Sequence, residues 1–329
     1  MKTNSHRLWT TFLVYSIALL FFLPATWAAA KPLQILTTTF PLYQITRNIT
    51  HGASGVEVEL MIPAEMGCPH DYALTPQDMR KLAKADVLIV NGLGLEEFLG
   101  APLKKANPGL RIVDSSQGIT QVLFIEDGQR EEPGHQQEQD KDKRTHDRDK
   151  PGHYDSVPNP HLFASPRMAA LLADNIAKAL AELHPAGAAV YTANGRAYGQ
   201  RMNRLADDLL ALGKRLKNNR IATQHGVFDY LARDMGLEVV AVVQAHAGQN
   251  PSASEIIAIV ETIRAKKAGA IFTEPQYPEA VGTTIAKEAS IAAARLDPAA
   301  NGPEQAPLDY YEQVMRANLN ILEQTLGSN

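Results

Sequence analysis

Three histidines and one carboxylate stand out as residues whose type and placement suit a single chemistry. His70 sits in a turn between Pro69 and Asp71, downstream of the alternating apolar run Val56–Ile62. His161 follows Asn159 and Pro160, just before a stretch that Ser165 and Pro166 can open as a helix. His225 comes after the short apolar run from Ile221, and Asp297 after Ile291–Leu296. At least three of the four lie past the carboxyl ends of predicted strands, where open α/β sheets gather their ligands. Two such sheets facing each other across a cleft would make these residues converge. Three imidazoles and a carboxylate suit a four-coordinate divalent ion, zinc first. Taken singly, a histidine after a strand is more often a surface or hydrogen-bonded residue than a ligand, and on spacing alone neither reading wins. Glu274, at the end of the predicted strand Ala270–Thr273, is either an acceptor behind a ligand histidine or an alternative carboxylate ligand. Cys68 is the only cysteine, so no internal disulfide can form. A thiolate two residues from His70 would make a good zinc ligand; the reading taken is a buried free thiol.

The elements that must position these residues alternate between strand and helix. Strands are predicted at Leu33–Thr39, Val56–Ile62, Val87–Val90 and Arg111–Val113, with a helix over Leu42–Asn48. Thr75, Pro76 and Asp78 form a helix start, with a cap, a first-turn proline and a box partner. A helix is predicted over Arg167–Leu183, then a second from Ala186 to Leu216. In the latter Tyr198, Met202, Leu205, Leu209, Leu212 and Leu216 step by 4 and 3 along one face. It would span about 45 Å, enough to tie two lobes together; Gly187, Gly195 and Gly199 weaken the prediction in its first half. Beyond Asn219 come strands at Ile221–Thr223, Glu238–Val243, Ala270–Thr273 and Ile291–Leu296. Helices fall near Phe228–Asp234, Ala253–Ala265 (boxed by Ser252 and Glu255), Glu279–Ala289 and Leu308–Leu326. The fold class is α/β: two Rossmann-like lobes with parallel sheets, joined by a long rigid helix, with a metal cleft between them. The organisation reads as a 1–30 signal peptide, a 31–184 amino-terminal lobe, a 185–217 interlobe helix and a 218–329 carboxy-terminal lobe.

Composition is that of a soluble globular protein, 45% hydrophobic and 21% charged. The formal charge of −4 becomes −6 without residues 1–30, which carry Lys2 and Arg7 but no acid. Nothing in that balance suggests nucleic acid as a partner. Residues 1–30 have a basic start, an apolar stretch from Phe12 to Leu23 and three small residues at Ala28–Ala30, the pattern of an export signal cleaved before Lys31. No cysteine follows the apolar stretch, which argues against a lipid anchor. The segment 126–158 holds almost no apolar residue, mixes acids and bases, and carries His135, His146 and His153. It reads as a mobile loop, either one that captures metal weakly ahead of the main site or one with incidental histidines.

The run from His70 through Tyr72, Thr75, Pro76, Asp78, Ala85, Asp86 and Asn91–Glu96 resembles the first signature of the metal-binding proteins that feed bacterial ABC importers of zinc and manganese, the cluster A-I solute-binding proteins. Asn159–Phe163 is similar to their second motif, where Asp usually stands in place of Asn159. Thr223–Leu237 resembles the third, and Phe272–Gln276 and Leu296–Pro298 the fourth and fifth. The likeness covers nearly all of the chain after the signal. It implies that His70, His161, His225 and Asp297 are the ligands, with Asp297 preferred to Glu274, and that no cysteine ligates. It implies a tight periplasmic Zn²⁺ carrier, acting as a monomer, that delivers the ion to ABC permease subunits. His225, where manganese members can carry Glu, favours zinc over Mn²⁺. His51, His184 and His246 match none of the motifs and are read as structural.

Two other readings compete. One keeps the fold and changes the cargo to manganese or iron. The other is a secreted zinc hydrolase with Glu65 or Glu274 as base, for which neither a His-Glu-x-x-His helix nor a Gly-x-Ser-x-Gly elbow is present. A surface adhesin is disfavoured by the missing lipidation cysteine.

Overall fold

The computed structural model describes residues 31–69, 72–125, 156–244 and 251–327. The predicted signal peptide, His70, His246 and the loop histidines His135, His146 and His153 lie outside the described residues. In the amino-terminal half the strands are β1 (Leu33–Thr37), β2 (Val56–Leu60), β3 (Val87–Val90) and β4 (Arg111–Asp114), with helices α1 (Phe40–Thr50), α2 (Pro76–Lys84) and α3 (Gly100–Ala106). A two-strand ladder of β5 (Phe124–Ile125) and β6 (Val157–Pro158) follows, then α4 (Pro166–Leu183) and α5 (Ala188–Arg215). The second half holds β7 (Arg220–Thr223), α6 (Asp229–Met235), β8 (Glu238–Val242), α7 (Ala253–Lys266), β9 (Ala270–Thr273), α8 (Glu279–Ala289), β10 (Ala292–Arg295) and α9 (Tyr310–Leu326).

Two four-stranded, all-parallel sheets result, ordered β2-β1-β3-β4 and β10-β9-β7-β8. Read from its second strand, the latter is β8-β7-β9-β10, the same plan as the former. The strand residues alternate between two cores, as a period of 2 demands. Ile35, Val87 and Ile89 face an inner core, while Leu36, Leu88 and Val90 face an outer one with Met61, Leu82 and Leu99. In the second sheet Ile221, Ala270 and Phe272 join the same inner core, while Ala222 and Ile271 pack outward against Val260, Ile263 and Ile285. Each lobe is thus a sheet with helices on both faces, and the inner faces share one apolar mass.

That shared mass is built on α4 and α5. Helix α5 runs 28 residues without interruption, about 42 Å, and buries Tyr198, Met202, Leu205, Leu209 and Leu212 along the predicted face. Its glycines do not break it, because tertiary packing outweighs propensity here. A Cβ at Gly195 would lie 2.6 Å from the Ala177 Cβ, so this glycine lets α4 and α5 touch.

Two local expectations differ from the structure. Val157–Pro158, placed in the loop by composition, pairs antiparallel with Phe124–Ile125, a ladder too short to show any periodicity. Helix α1 begins two residues early, because Pro41 suits its first turn. The helix predicted near Phe228–Asp234 is α6, which a 3₁₀ turn, Gly226–Phe228, precedes.

Candidate metal centre

The residues that follow position 71 are braced at the start of α2. Thr75 Oγ1 accepts from Asp78 N, and Asp78 Oδ2 accepts in return from Thr75 N at 2.8 Å, the reciprocal box the sequence predicts. Tyr72 Oη donates to the same carboxylate oxygen at 2.8 Å. Burial, helped by the Asp78 bond and charge, pushes the Tyr72 phenol up to about 12. After β3 the chain folds onto Glu96, whose carboxylate accepts from Asn91 N (2.7 Å), Gly92 N (3.1 Å) and Thr38 Oγ1 (2.7 Å). Gly92 has φ +85°, and a Cβ there would meet Asp114 Oδ1 at 2.1 Å, so no other residue fits. Gly92 therefore lets this segment close around a carboxylate.

On the carboxy-terminal side, β7 and β9 are neighbours, so the residues that follow them meet. His225, two residues past β7, is 4% exposed, and Glu274, immediately past β9, is fully buried. Glu274 Oε1 lies 2.5 Å from His225 Nδ1, and Oε2 accepts from Gln276 Nε2 at 2.5 Å. A carboxylate only accepts, so Nδ1 carries the hydrogen, and in the neutral ring Nε2 presents its lone pair. That Nε2 is buried and makes no hydrogen bond.

The opposite wall is His161, 2% exposed, at the head of the 3₁₀ turn Leu162–Ala164. Asn159 Oδ1 accepts from its backbone N at 3.0 Å and lies 2.8 Å from its Nδ1. An amide oxygen only accepts, so the His161 ring is held in the same tautomer as His225. Asn159 Nδ2 donates to Gly226 O and Asp229 Oδ2, both at 2.9 Å. One amide therefore orients one histidine with its oxygen and ties down the loop of the other with its nitrogen. An aspartate at 159 could not donate to Asp229. Burial raises the Asp229 carboxyl to about 6, against the Asn159 bond and the His225 ring.

The two imidazole rings meet edge to face, centroids 5.1 Å apart. One donor atom each from His161, His225 and Cys68 falls within 4.8 Å of the others. Cys68 is partly buried, and a Cβ on the neighbouring Gly67 would lie 3.2 Å from Gln276 Cγ, which puts this segment against the Glu274 turn. Loss of hydration, with the Glu274 charge, pushes the Cys68 thiol well above its ordinary range. Asp297 follows β10 and is half-buried, outside that three-residue group. Its Oδ1 accepts from Ala299 N at 2.8 Å, and its backbone is held by Asn318. Burial raises its carboxyl, and the Glu274 charge adds to the rise. Of the histidines read as structural, His184 pairs its Nδ1 with Tyr191 Oη at 2.7 Å, and His51 lies at the exposed end of α1.

Sequence reasoning brought His161 and His225 together and offered Glu274 as an acceptor behind a histidine. It missed the two-sided role of Asn159 and the closeness of Cys68 to both rings. The only sequence signal for the latter was its spacing from His70.

Residues 35–325 match the family described as zinc-uptake complex component A, periplasmic. The zinc-binding lipoprotein AdcA of Streptococcus pneumoniae serotype 4 is 27% identical over 296 residues, covering 89% of this chain but 56% of AdcA. The chain thus spans little more than half the length of that relative. The iron-binding protein YfeA of Yersinia pestis is 28% identical over 264 residues, 79% of this chain and 75% of YfeA. Among solved structures, the solute-binding protein FpvC of Pseudomonas aeruginosa in complex with Mn²⁺ superposes with a TM-score of 0.73 at 29% identity, covering 91% of this chain and 99% of that one. A crystal structure of ZnuA gives 0.70 at 25% identity, covering 90% and 100%.

Proposed function

Because this chain belongs to the family of periplasmic zinc-uptake complex component A, we propose that it captures Zn²⁺ tightly between its lobes and hands the ion to the membrane permease of an ABC importer. The observation that carries the reading is the buried, unbonded His225 Nε2, facing His161 while each ring is held from behind by an acceptor. Burying a polar nitrogen without a partner is costly unless something binds there. The proposed ligands are His70, His161, His225 and Asp297, with Glu274 behind His225. The mechanism is binding and release, and the nitrogen-rich set favours zinc.

The lobe boundaries near residues 184 and 218, export through residues 1–30 to the periplasm and a monomeric state belong to the same proposal. So does weak capture of metal by His135, His146 and His153. Among the described residues no helix is long and apolar enough to cross a membrane. Release proceeds by local movement around the ligands, because α5 and the shared core restrain the lobes. The ligands bind deprotonated, so affinity falls as pH drops through the histidine range.

A manganese or iron cargo is the second reading, favoured by the Mn²⁺ bound in FpvC and the iron-binding description of YfeA. Competitive calorimetric titration of the metal-free protein separates the two. One tight site at which zinc displaces manganese, abolished by His225→Ala, is expected. Manganese preferred, with the variant unaffected, would overturn both cargo and ligand set.

A further inference from the structure

We propose that the Cys68 Sγ is a ligand of the transported ion, a fifth donor beside the four proposed above, an inference that rests on the metal-carrier reading above. Three observations lead to it. The Sγ shares a 4.8 Å group with donor nitrogens of His161 and His225. The His225 Nε2 is buried in a residue 4% exposed, and it has no hydrogen-bond partner. The backbone at Gly67 is packed against Gln276, whose amide is bonded to the same Glu274 that orients His225. The segment carrying the sulfur is thereby referenced to the hydrogen-bond network that aims the ring.

A sulfur in this position changes what the site selects. Two imidazoles alone serve many divalent ions, whereas a thiolate favours zinc and other soft or borderline ions over manganese. On ligation the S–H bond breaks, the S–metal bond forms and the proton goes to solvent. No oxidant is needed. Cys68 also has nowhere to form a disulfide within the chain, since there is no second cysteine.

Because it is the only cysteine, a thiolate signal is self-assigning. The test is cobalt(II) titration of the purified metal-free protein, followed by electronic absorption, with zinc then added to displace the cobalt. The visible ligand-field bands count bound metal, and a near-ultraviolet sulfur-to-cobalt charge-transfer band reports the thiolate. The expected result is both sets of bands growing to one equivalent and both vanishing on zinc addition. In Cys68→Ser, checked by circular dichroism for an intact fold, the visible bands persist and the charge-transfer band is lost. Stoichiometric visible bands in the unaltered protein with no charge-transfer band would overturn sulfur ligation and leave the carrier reading standing. No cobalt or zinc binding at all would overturn the carrier reading, and the ligand with it. The unaltered protein decides the question, so a variant that fails to fold does not block it.

Discussion

The two lobes share a strand order, second-first-third-fourth, and each carries a glutamate after its third strand bonded to a residue after its first. In the amino-terminal lobe Glu96 accepts from the Thr38 hydroxyl and from two backbone amides of its own loop, which occupies both its oxygens. In the carboxy-terminal lobe Glu274 meets the His225 ring, whose second nitrogen then points onward. A hydroxyl has a single atom, here engaged by the carboxylate, while an imidazole has a second nitrogen beyond the one it bonds. The frame is common to both lobes. The chemistry enters where one residue after a first strand has a second donor atom to offer.

Substitutions at the paired positions sharpen this contrast or break it. The largest effect is expected from Glu274→Gln, which replaces the carboxylate behind His225 with a neutral amide. Zinc affinity should fall by about ten- to hundred-fold, with about 1–3 kcal/mol of metal-free stability lost because the new amide nitrogen faces one of two buried donors, read by competitive titration and denaturant melts. Glu96→Gln should cost a similar amount of stability, about 1–3 kcal/mol, through its orphaned loop amides but leave zinc affinity unchanged. A drop in affinity in that variant matching the one at Glu274 would end the distinction. The Glu96 carboxyl also predicts a pH dependence, since burial lifts it from 4.5 to about 7. The folded protein then holds that proton more tightly than the unfolded chain, so its contribution to stability falls as pH rises across that window. The unaltered protein should lose stability relative to Glu96→Gln between those limits, and a gain there would contradict the assignment. The smallest effect is expected from Thr38→Val, about 1 kcal/mol for one lost hydrogen bond, with zinc binding untouched.

Much of this frame was legible in the chain. Thr75 and Asp78 announced their helix because a capping box is local chemistry, complete within four residues. The unbroken apolar run Val87–Val90 and the periodic face of α5 announced burial, because every residue there meets a core on a fixed side. His225 was legible as a residue past a strand end, whereas its meeting with His161, which precedes a helix, was implied by the family resemblance. What stayed hidden depends on distances between loops far apart in sequence. Asn159 reaches Asp229 across 70 positions, and Cys68 reaches His225 across more than twice that. No periodicity encodes such contacts. Gly195 misled for a related reason: its cost is local, and its benefit lies on a different helix, at Ala177.

The inner core has a further consequence for how the chain can be divided. Ile35 of one sheet and Ile221 of the other belong to a single contiguous cluster, with the faces of α4 and α5 between them. Removing either half would strip the partner surface from Leu172, Ile176, Met202 and Leu209, all of them buried. Neither lobe expressed alone is then expected to stand as a folded fragment, and heating should melt both in one calorimetric peak. Topology counts two lobes here, but thermodynamics has no seam at which to cut.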